Sequence, residues 1–517
     1  MNEAVTDLLG NGAIISARWL QRRGEHDGNQ PALTFGARTW TYAELQHDVA
    51  RLAAVLVAGG LSRGDRLAYV GPNHPLCLVA FFAATRIGAI FVPTNFRLTA
   101  HELQIVMADA AVDTVIAAPS HQAIVDEIRD GIKARRYLAF GDTAGDWEPV
   151  LALMERAPAC ETVPPVDADA VALIMYTSGT TGTPKGAMLT HDNVWVACIN
   201  LLMTVGFADT DVALNSAPLF HVGGLCVVVL PVLLAGGHVI LHEAFDPLAF
   251  MRTIAARRVT VAFAVPAMMN ALLQTEGFEG MDLSSLRLLI AGGASVPASL
   301  LREFEARRIP VSQGWGMTES TATGTFLSPR KASDKLGSCG KPAMLAECRV
   351  VDFDRRPISE PEVRGELCIR GGSMMKGYWN RPEATREVLD EDGWYYSGDV
   401  GYFDAEGYYY VCDRLKDMVI TGGENVYPAE LEGALREHPS IADLAVIGAP
   451  DERWGERVVA VAVLRPGAKL TLEGLQDFAE TRLARYKWPR ELRIVNALPR
   501  NPSGKVLKGL LRQETHS

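Results

Sequence analysis

The sequence predicts an α/β fold: a large N-terminal domain of mostly parallel sheets flanked by helices, followed by a small α+β C-terminal domain. Three observations carry this expectation. Strand-length apolar runs alternate with helical stretches from about residue 30 to 120 and again from about 190 to 315, the rhythm of parallel sheet covered on both faces. Near residue 415 the pattern shifts to a compact α+β module of about 100 residues. A chain of 517 residues, 48% hydrophobic and 21% charged, exceeds one ordinary domain and can bury a large core.

The elements follow in order. Thr41-Tyr-Ala-Glu44 is a capping box opening a helix to about Ala58, closed by Gly59-Gly60. Arg66–Val70 reads as a strand ending in the turn Gly71-Pro-Asn73, and an apolar helix runs from about Pro75 to Ile87. The strand Ala89–Pro93, a helix at about 100–110 and the strand Val112–Ala117 come next. A polar, Pro- and Ala-containing connection at about 141–168 leads to the strand Val171–Met175, and Asn193–Leu202 can carry a helix. Val222 to Leu241 holds twenty residues without a formal charge, long enough to cross a bilayer. Pro231 and Gly236-Gly237-His238 interrupt it and no basic flank marks it, so a buried helix, a turn and a strand are expected, not a transmembrane segment. Leu286–Ile290 is a strand, and Asp392–Tyr396 is strand-like, ending in a turn at Ser397-Gly-Asp399. Beyond 415 come strands at Ala442–Ile447 and Val458–Leu464, with helices at Pro428–Arg436 and Thr471–Ala484.

The net charge of −11 offers no basic footprint for nucleic acid or an anionic membrane surface. Eight cysteines form no Cys-x-x-Cys pair and read as reduced thiols of a cytoplasmic protein, and the N-terminus has no basic-then-apolar leader pattern.

Tyr176-Thr-Ser-Gly-Thr-Thr-Gly-Thr-Pro-Lys-Gly186 follows the strand Val171–Met175. Its glycines let backbone N–H groups approach an anion closely, and its hydroxyls and Lys185 add donors and positive charge. That is phosphate-handling chemistry. The spacing does not fit a Walker A loop, and the bland alternative is a Gly/Thr-rich surface turn. Ala217-Pro-Leu-Phe-His221 places a histidine on an apolar segment, where most are simply buried core residues. Ala291-Gly-Gly-Ala294 follows a strand, where a tight turn would suffice. Gln313-Gly-Trp-Gly-Met-Thr-Glu-Ser320 is a glycine-containing stretch that carries one carboxylate, Glu319. Asp399 fits an Asx turn and Lys505 a solvated Pro/Gly loop on their own.

Together these stretches resemble the adenylate-forming superfamily: acyl-CoA synthetases, adenylation domains of peptide synthetases, and luciferases. Ser178–Gly186 is similar to its mobile loop over the ATP phosphates, Gln313–Glu319 to its Gly-Tyr-Gly-Met-Thr-Glu motif, and Pro499–Lys505 to its last motif. At least six ordered motifs along essentially the whole chain carry the likeness. It implies ATP/AMP binding by Thr177, Ser178, Gly179, Thr180, Thr181, Gly182 and Lys185, by Gly292 and Gly293, and by Gln313, Gly314, Trp315, Gly316, Met317 and Thr318. Asp399 and Arg414 would hold the ribose. Mg²⁺ would sit on Glu319 and Thr181. Lys505, His221, Thr318 and Glu319 would be catalytic. Gly422, Gly423 and Glu424 would meet CoA, and Lys416 would be the hinge between residues 1–414 and a mobile module, 415–517. Trp315 departs from the usual tyrosine, keeping a flat face but losing the phenol. Val222-Gly-Gly-Leu-Cys226 lacks the Asp that amino-acid adenylation domains place near this point, which argues for a plain carboxylic acid.

The resemblance therefore implies an AMP-forming acid–CoA ligase: carboxylic acid, ATP and CoA give acyl-CoA, AMP and pyrophosphate through an acyl-adenylate. Asp413–Pro428 is similar to bacterial fatty-acid and aryl (coumarate- or ferulate-like) CoA ligases; a fatty acid is the expected substrate and an aryl acid the alternative. Other readings are an acyl-AMP ligase loading a carrier protein, a luciferase-like oxygenase and a non-catalytic nucleotide sensor. The partners expected are small molecules, with no nucleic acid; a homodimer is compatible with the sequence.

Overall fold

The computed structural model describes residues 16–143, 145–160, 165–177, 184–294, 296–421, 424–451, 453–500 and 506–513. Two large sheets dominate. The eight-stranded sheet runs, edge to edge, through Gly377–Tyr378, Lys185–Thr190, Val171–Thr177, Ile90–Thr94, Arg66–Val70, Thr114–Ala117, Arg136–Ala139 and Glu148–Pro149. The nine-stranded sheet runs through Lys341–Pro342, Thr325–Phe326, Val311–Trp315, Leu288–Ala291, Val261–Ala264, Val212–Asn215, His238–Leu241, Pro31–Phe35 and Arg38–Thr41. Their central pairs are parallel, as the strand–helix alternation requires.

The capping box at Thr41 and Glu44 forms, with the Thr41 side chain accepting from the Glu44 N–H and the Glu44 carboxylate accepting from the Thr41 N–H, and the helix spans Tyr42–Ala58. Pro75–Ile87 is buried along its whole length. Its side chains share one apolar core with residues from both large sheets, including Leu67, Phe91 and Leu173 from one and Leu33, Val261 and Leu288 from the other. That shared burial explains why its sequence is apolar all round. The uncharged stretch after His221 is a short helix, a π-helical turn at Leu225–Val229, the helix Leu230–Ala235 and the strand His238–Leu241. Among the described residues no helix is long and apolar enough to cross a membrane.

Three features depart from the sequence reading. A five-stranded antiparallel sheet (Pro357–Ile358, Ala346–Val351, Gly365–Gly371, Tyr395–Phe403, Tyr409–Arg414) fills the region before 415. Within it, Ser397-Gly-Asp399 is not a turn ending a strand but part of the strand Tyr395–Phe403. Gly398 takes φ +69 inside that strand, a local kink that reads in sequence as a turn. The helix expected at Thr471–Ala484 spans Leu472–Glu480.

From Val419 onward a separate sheet is built from Glu424–Val426, Val419–Thr421, Gly455–Leu464 and Ile441–Asp451, with Glu491–Ile494 alongside Gly455–Leu464. Val419, Leu431, Leu444, Val458 and Leu475 form its own core.

Candidate active site

The flanks of the Gly/Thr-rich stretch are well anchored. Val171–Thr177 and Lys185–Thr190 pair antiparallel, with Thr177 opposite Lys185 and Tyr176 opposite Gly186. The Thr177 hydroxyl donates to the Lys185 carbonyl at 3.4 Å. A Cβ on Gly186 would lie 2.7 Å from Ile174, so only glycine fits there. Asp109 clamps this corner, accepting from the Tyr176 hydroxyl at 2.7 Å and from Arg381 at 2.9 Å. Ser178, Gly179, Thr180, Thr181 and Gly182 lie outside the described residues, as do Gly422, Gly423 and Lys505.

Gly292 and Gly293 follow the strand Leu288–Ala291, beside the parallel strand Val311–Trp315. A Cβ built on Gly292 would lie 3.6 Å from the Gly314 carbonyl and 3.8 Å from the Phe263 ring, so the backbone here is bare on one side. Gly293 adopts φ +80, which favours glycine. Gly314 lies under the Phe326 ring, and Gly316 against the Ala322 carbonyl; a side chain at either would collide at about 2.5 Å or less. The Gln313 side chain is engaged within the protein, accepting from the Val296 N–H at 3.3 Å and donating to the Ser338 carbonyl at 3.2 Å. Met317 and Thr318 are half-buried.

Trp315 and Asp399 are both buried, and the indole Nε1–H donates to the Asp399 carboxylate at 2.8 Å. Arg414 faces Asp399 across paired strands and forms an ion pair with its other oxygen. The Asp399 N–H donates to the Ser397 hydroxyl at 3.0 Å, and that hydroxyl donates to the Leu367 carbonyl at 2.6 Å. The carboxylate is thus held from two sides and its backbone from a third.

Glu319 occupies a single 3-10 turn, Thr318–Ser320, and is buried. Its Oε1 accepts from the Tyr378 hydroxyl at 2.7 Å, and its carbonyl accepts from the Met375 N–H at 2.7 Å. Lys185 Nζ lies 5.2 Å from the centre of the Tyr378 ring. Among the described residues no group of three or more His, Cys, Asp or Glu gathers to hold a metal. A lone carboxylate fits Mg²⁺, which keeps several waters and takes one or two protein carboxylates plus substrate phosphates.

His221 is held in place from behind. Asn73 donates to the Ala217 carbonyl at 2.9 Å and accepts from the Leu219 N–H at 2.8 Å. His221 Nδ1 accepts from the Gly223 N–H at 3.1 Å, which leaves the proton on Nε2. Burial holds its pKa below the ordinary histidine value, so the ring is neutral. Phe263 lies between this turn and the glycine shelf: its ring is 3.1 Å from a Cβ built on Gly223 and 3.8 Å from one on Gly292. Next to His221, Phe220 meets Phe96 edge to face at 5.7 Å.

Leu415–Asp417 is a 3-10 turn with Lys416 exposed and Asp417 buried and paired with Arg512 at 2.8 Å. Glu424 is exposed opposite Thr421.

The structure therefore links Phe263, Gly292, Gly314, Trp315, Asp399 and Arg414 in one continuous run, and Glu319 with Lys185 through Tyr378. Sequence reasoning missed Asn73, Phe263 and Tyr378. Each acts through contacts made far along the chain, and none stands in a chemically suggestive local pattern.

Two family models match: AMP-binding enzyme over residues 20–379, and AMP-binding enzyme C-terminal domain over 430–505. The chain is 44% identical to a feruloyl-CoA synthase of Amycolatopsis sp, covering 96% of this chain and 98% of the relative. It is 38% identical to a long-chain-fatty-acid–CoA ligase of Mycobacterium tuberculosis, covering 92% and 93%. Among solved structures it matches o-succinylbenzoate CoA synthetase of Bacillus subtilis with its acyl-adenylate intermediate, at TM-score 0.86 and 33% identity over 96% and 97% of the chains. The two family models and the relatives matched over nearly their whole length show that this chain belongs to the adenylate-forming superfamily of AMP-binding enzymes, as an AMP-forming acid–thiol ligase.

Proposed function

We propose that the protein joins an aromatic carboxylic acid, of the hydroxycinnamate kind, to CoA. The observation that carries the aromatic assignment is Phe263, whose ring stands between the His221–Gly223 turn and the Gly292 shelf. It offers a flat apolar wall to a planar acyl group, and the similarity to a feruloyl-CoA synthase supports it. The earlier expectation of a fatty acid stays as a second reading, favoured by the apolar run Val222–Ala235 and the similarity to a long-chain-fatty-acid–CoA ligase.

In the first half-reaction a substrate carboxylate oxygen attacks the α-phosphorus of ATP and pyrophosphate leaves. In the second, the CoA sulfur attacks the acyl carbon and AMP leaves. The protein positions reactants and neutralises charge. Asp399 accepts from the ribose hydroxyls, with Arg414 beside it, and Trp315 offers its ring face to adenine. His221, neutral with its proton on Nε2, can donate to the substrate carboxylate without giving up that proton to it. Thr318 donates to the α-phosphate, and Lys185 and Lys505 bring positive charge. Glu319 and Thr181 would hold Mg²⁺, which when bound neutralises phosphate charge. Lys416 is the pivot between residues 1–414 and 415–517, with Gly422, Gly423 and Glu424 facing CoA. All eight cysteines are free thiols, in keeping with a cytoplasmic location.

The test is a CoA-thioester assay over cinnamic, benzoic and aliphatic acids of increasing length, with ATP–pyrophosphate exchange run in parallel. A preference for long aliphatic acids overturns the aromatic assignment. Adenylation without transfer to free CoA favours loading of a carrier protein, and no exchange with any acid removes the enzymatic reading.

A further inference from the structure

Tyr378 stands on a two-residue strand whose position is set by its neighbours. Gly377 adopts φ +142, and a Cβ there would lie 3.0 Å from Thr385, so a side chain is disfavoured on both counts. The Tyr378 N–H donates to the Thr385 hydroxyl at 2.9 Å. The strand pairs with Lys185–Thr190, Gly377 opposite Met188 and Tyr378 opposite Ala187. On the other side the Met375 N–H holds the Glu319 carbonyl at 2.7 Å. The segment 375–379 is therefore a backbone tie between the carboxylate turn and the second flank of the phosphate loop.

The Tyr378 side chain repeats that tie. Its hydroxyl donates to Glu319 Oε1 at 2.7 Å, and its ring face lies 5.2 Å from Lys185 Nζ. We propose that Tyr378 is a positioning residue for the metal–triphosphate complex: its hydroxyl fixes the Glu319 carboxylate and its ring steers the Lys185 ammonium, so one side chain sets the spacing between the two. This rests on the reading of Glu319 as the metal-binding carboxylate. With Oε1 turned toward the phenol, Oε2 and the remaining lone pair of Oε1 are left for a cation. The face of a phenol attracts an ammonium, so the ring biases where the lysine rests before phosphate arrives.

The two interactions separate under substitution. Tyr378→Phe keeps the ring and loses the hydroxyl; Tyr378→Leu loses both. The measured quantities are the dissociation constants of AMP, of α,β-methylene-ATP without metal, and of the same analogue with Mn²⁺, read by calorimetry and by the electron paramagnetic resonance of bound Mn²⁺. Tyr378→Phe is expected to reduce the Mn²⁺-dependent gain in affinity by about tenfold, the scale of one hydrogen bond to a charged group. It should leave metal-free analogue and AMP binding unchanged. Tyr378→Leu is expected to weaken the metal-free analogue as well, again sparing AMP. A merely structural role would move all three constants together.

A wild-type metal gain in Tyr378→Phe overturns the proposal. Glu319→Gln separates the two possible failures. If it loses the gain while Tyr378→Phe keeps it, Glu319 binds the metal and Tyr378 does not position it. If Glu319→Gln keeps the gain, the metal assignment itself is wrong. Should Tyr378→Phe not fold, 3-fluorotyrosine placed at 378 serves instead. Its ¹⁹F resonance should shift with Mg²⁺ and the analogue together and not with the analogue in Glu319→Gln; an unmoved resonance in the otherwise native chain overturns the proposal.

Discussion

The indole N–H of Trp315 donates to the carboxylate of Asp399 at 2.8 Å, across 84 positions of sequence and inside the protein. The tryptophan that replaces the usual tyrosine is thus more than a flat face: it orients the residue assigned to the ribose. Trp315→Phe should weaken AMP binding roughly tenfold, about 1.5 kcal/mol for a hydrogen bond to a charged group. Trp315→Tyr keeps a stacking face and a hydroxyl and should fall between Phe and wild type. Calorimetric titration with AMP checks both; equal affinities for Trp315→Phe and wild type would leave the indole hydrogen bond without functional weight.

Asp399→Ala removes the acceptor shared by Trp315 and Arg414 and leaves a buried indole N–H unpaired. Nucleotide affinity should drop more than in Trp315→Phe, by roughly a hundredfold, since two charge-assisted contacts are lost. The unfolding midpoint should fall as well, because a buried indole N–H and Arg414 lose their acceptor. Unchanged AMP affinity would return Asp399 to a purely architectural role.

How far the sequence anticipated this site follows from the reach of each interaction. The capping box at Thr41 and the helix Pro75–Ile87 are local patterns, and the structure places both where the residues predict. Motif residues such as Gly292 and Glu319 could be singled out because their neighbours in sequence accompany them. Tyr378 and Phe263 were not, since their partners lie 59 and 40 positions away at Glu319 and Gly223. The placement of Asp399 within a strand was hidden by Gly398, which takes a positive φ while its N–H donates to the Glu366 carboxylate and the Ser397 hydroxyl donates to the Leu367 carbonyl.

The proposed pivot predicts separable half-reactions. Lys505→Ala should lower adenylate formation by roughly a hundredfold or more, the scale for losing one charge-stabilising donor. It should leave thioester formation from supplied acyl-adenylate nearly normal. Lys416→Pro fixes φ in the 3-10 turn Leu415–Asp417 and should spare the first step while blocking the second. Pyrophosphate exchange and single-turnover thioester formation measure the two steps; equal damage to both in both variants would falsify the two-state scheme.

Stability should respond to acid through Asp211. Burial works to raise its pKa, but bonds from Arg287, the Thr260 hydroxyl and the Ala208 N–H outweigh that and hold it below the usual carboxylate value. The native state therefore binds fewer protons here than the unfolded chain. The contribution is present above the unfolded carboxylate pKa of about 3.9 and is lost as pH falls through the lower native value. Asp211→Asn, which leaves Arg287 facing a neutral amide, should cost about 2–3 kcal/mol at neutral pH. The deficit should shrink in the acid range; a deficit independent of pH would show that packing, not charge, is responsible.

The register of the nine-stranded sheet also dictates an order of events during synthesis. Pro31–Phe35 is synthesised well before its parallel partner, His238–Leu241, with Leu33 opposite Val239. At about 5–20 residues per second, the early hairpin waits roughly 10–40 s for that partner to emerge. Throughout that interval Ala32 and Leu33, fully buried in the finished protein, have no sheet to join. Slowed translation between the two strands is therefore expected to raise aggregation more than slowing after them.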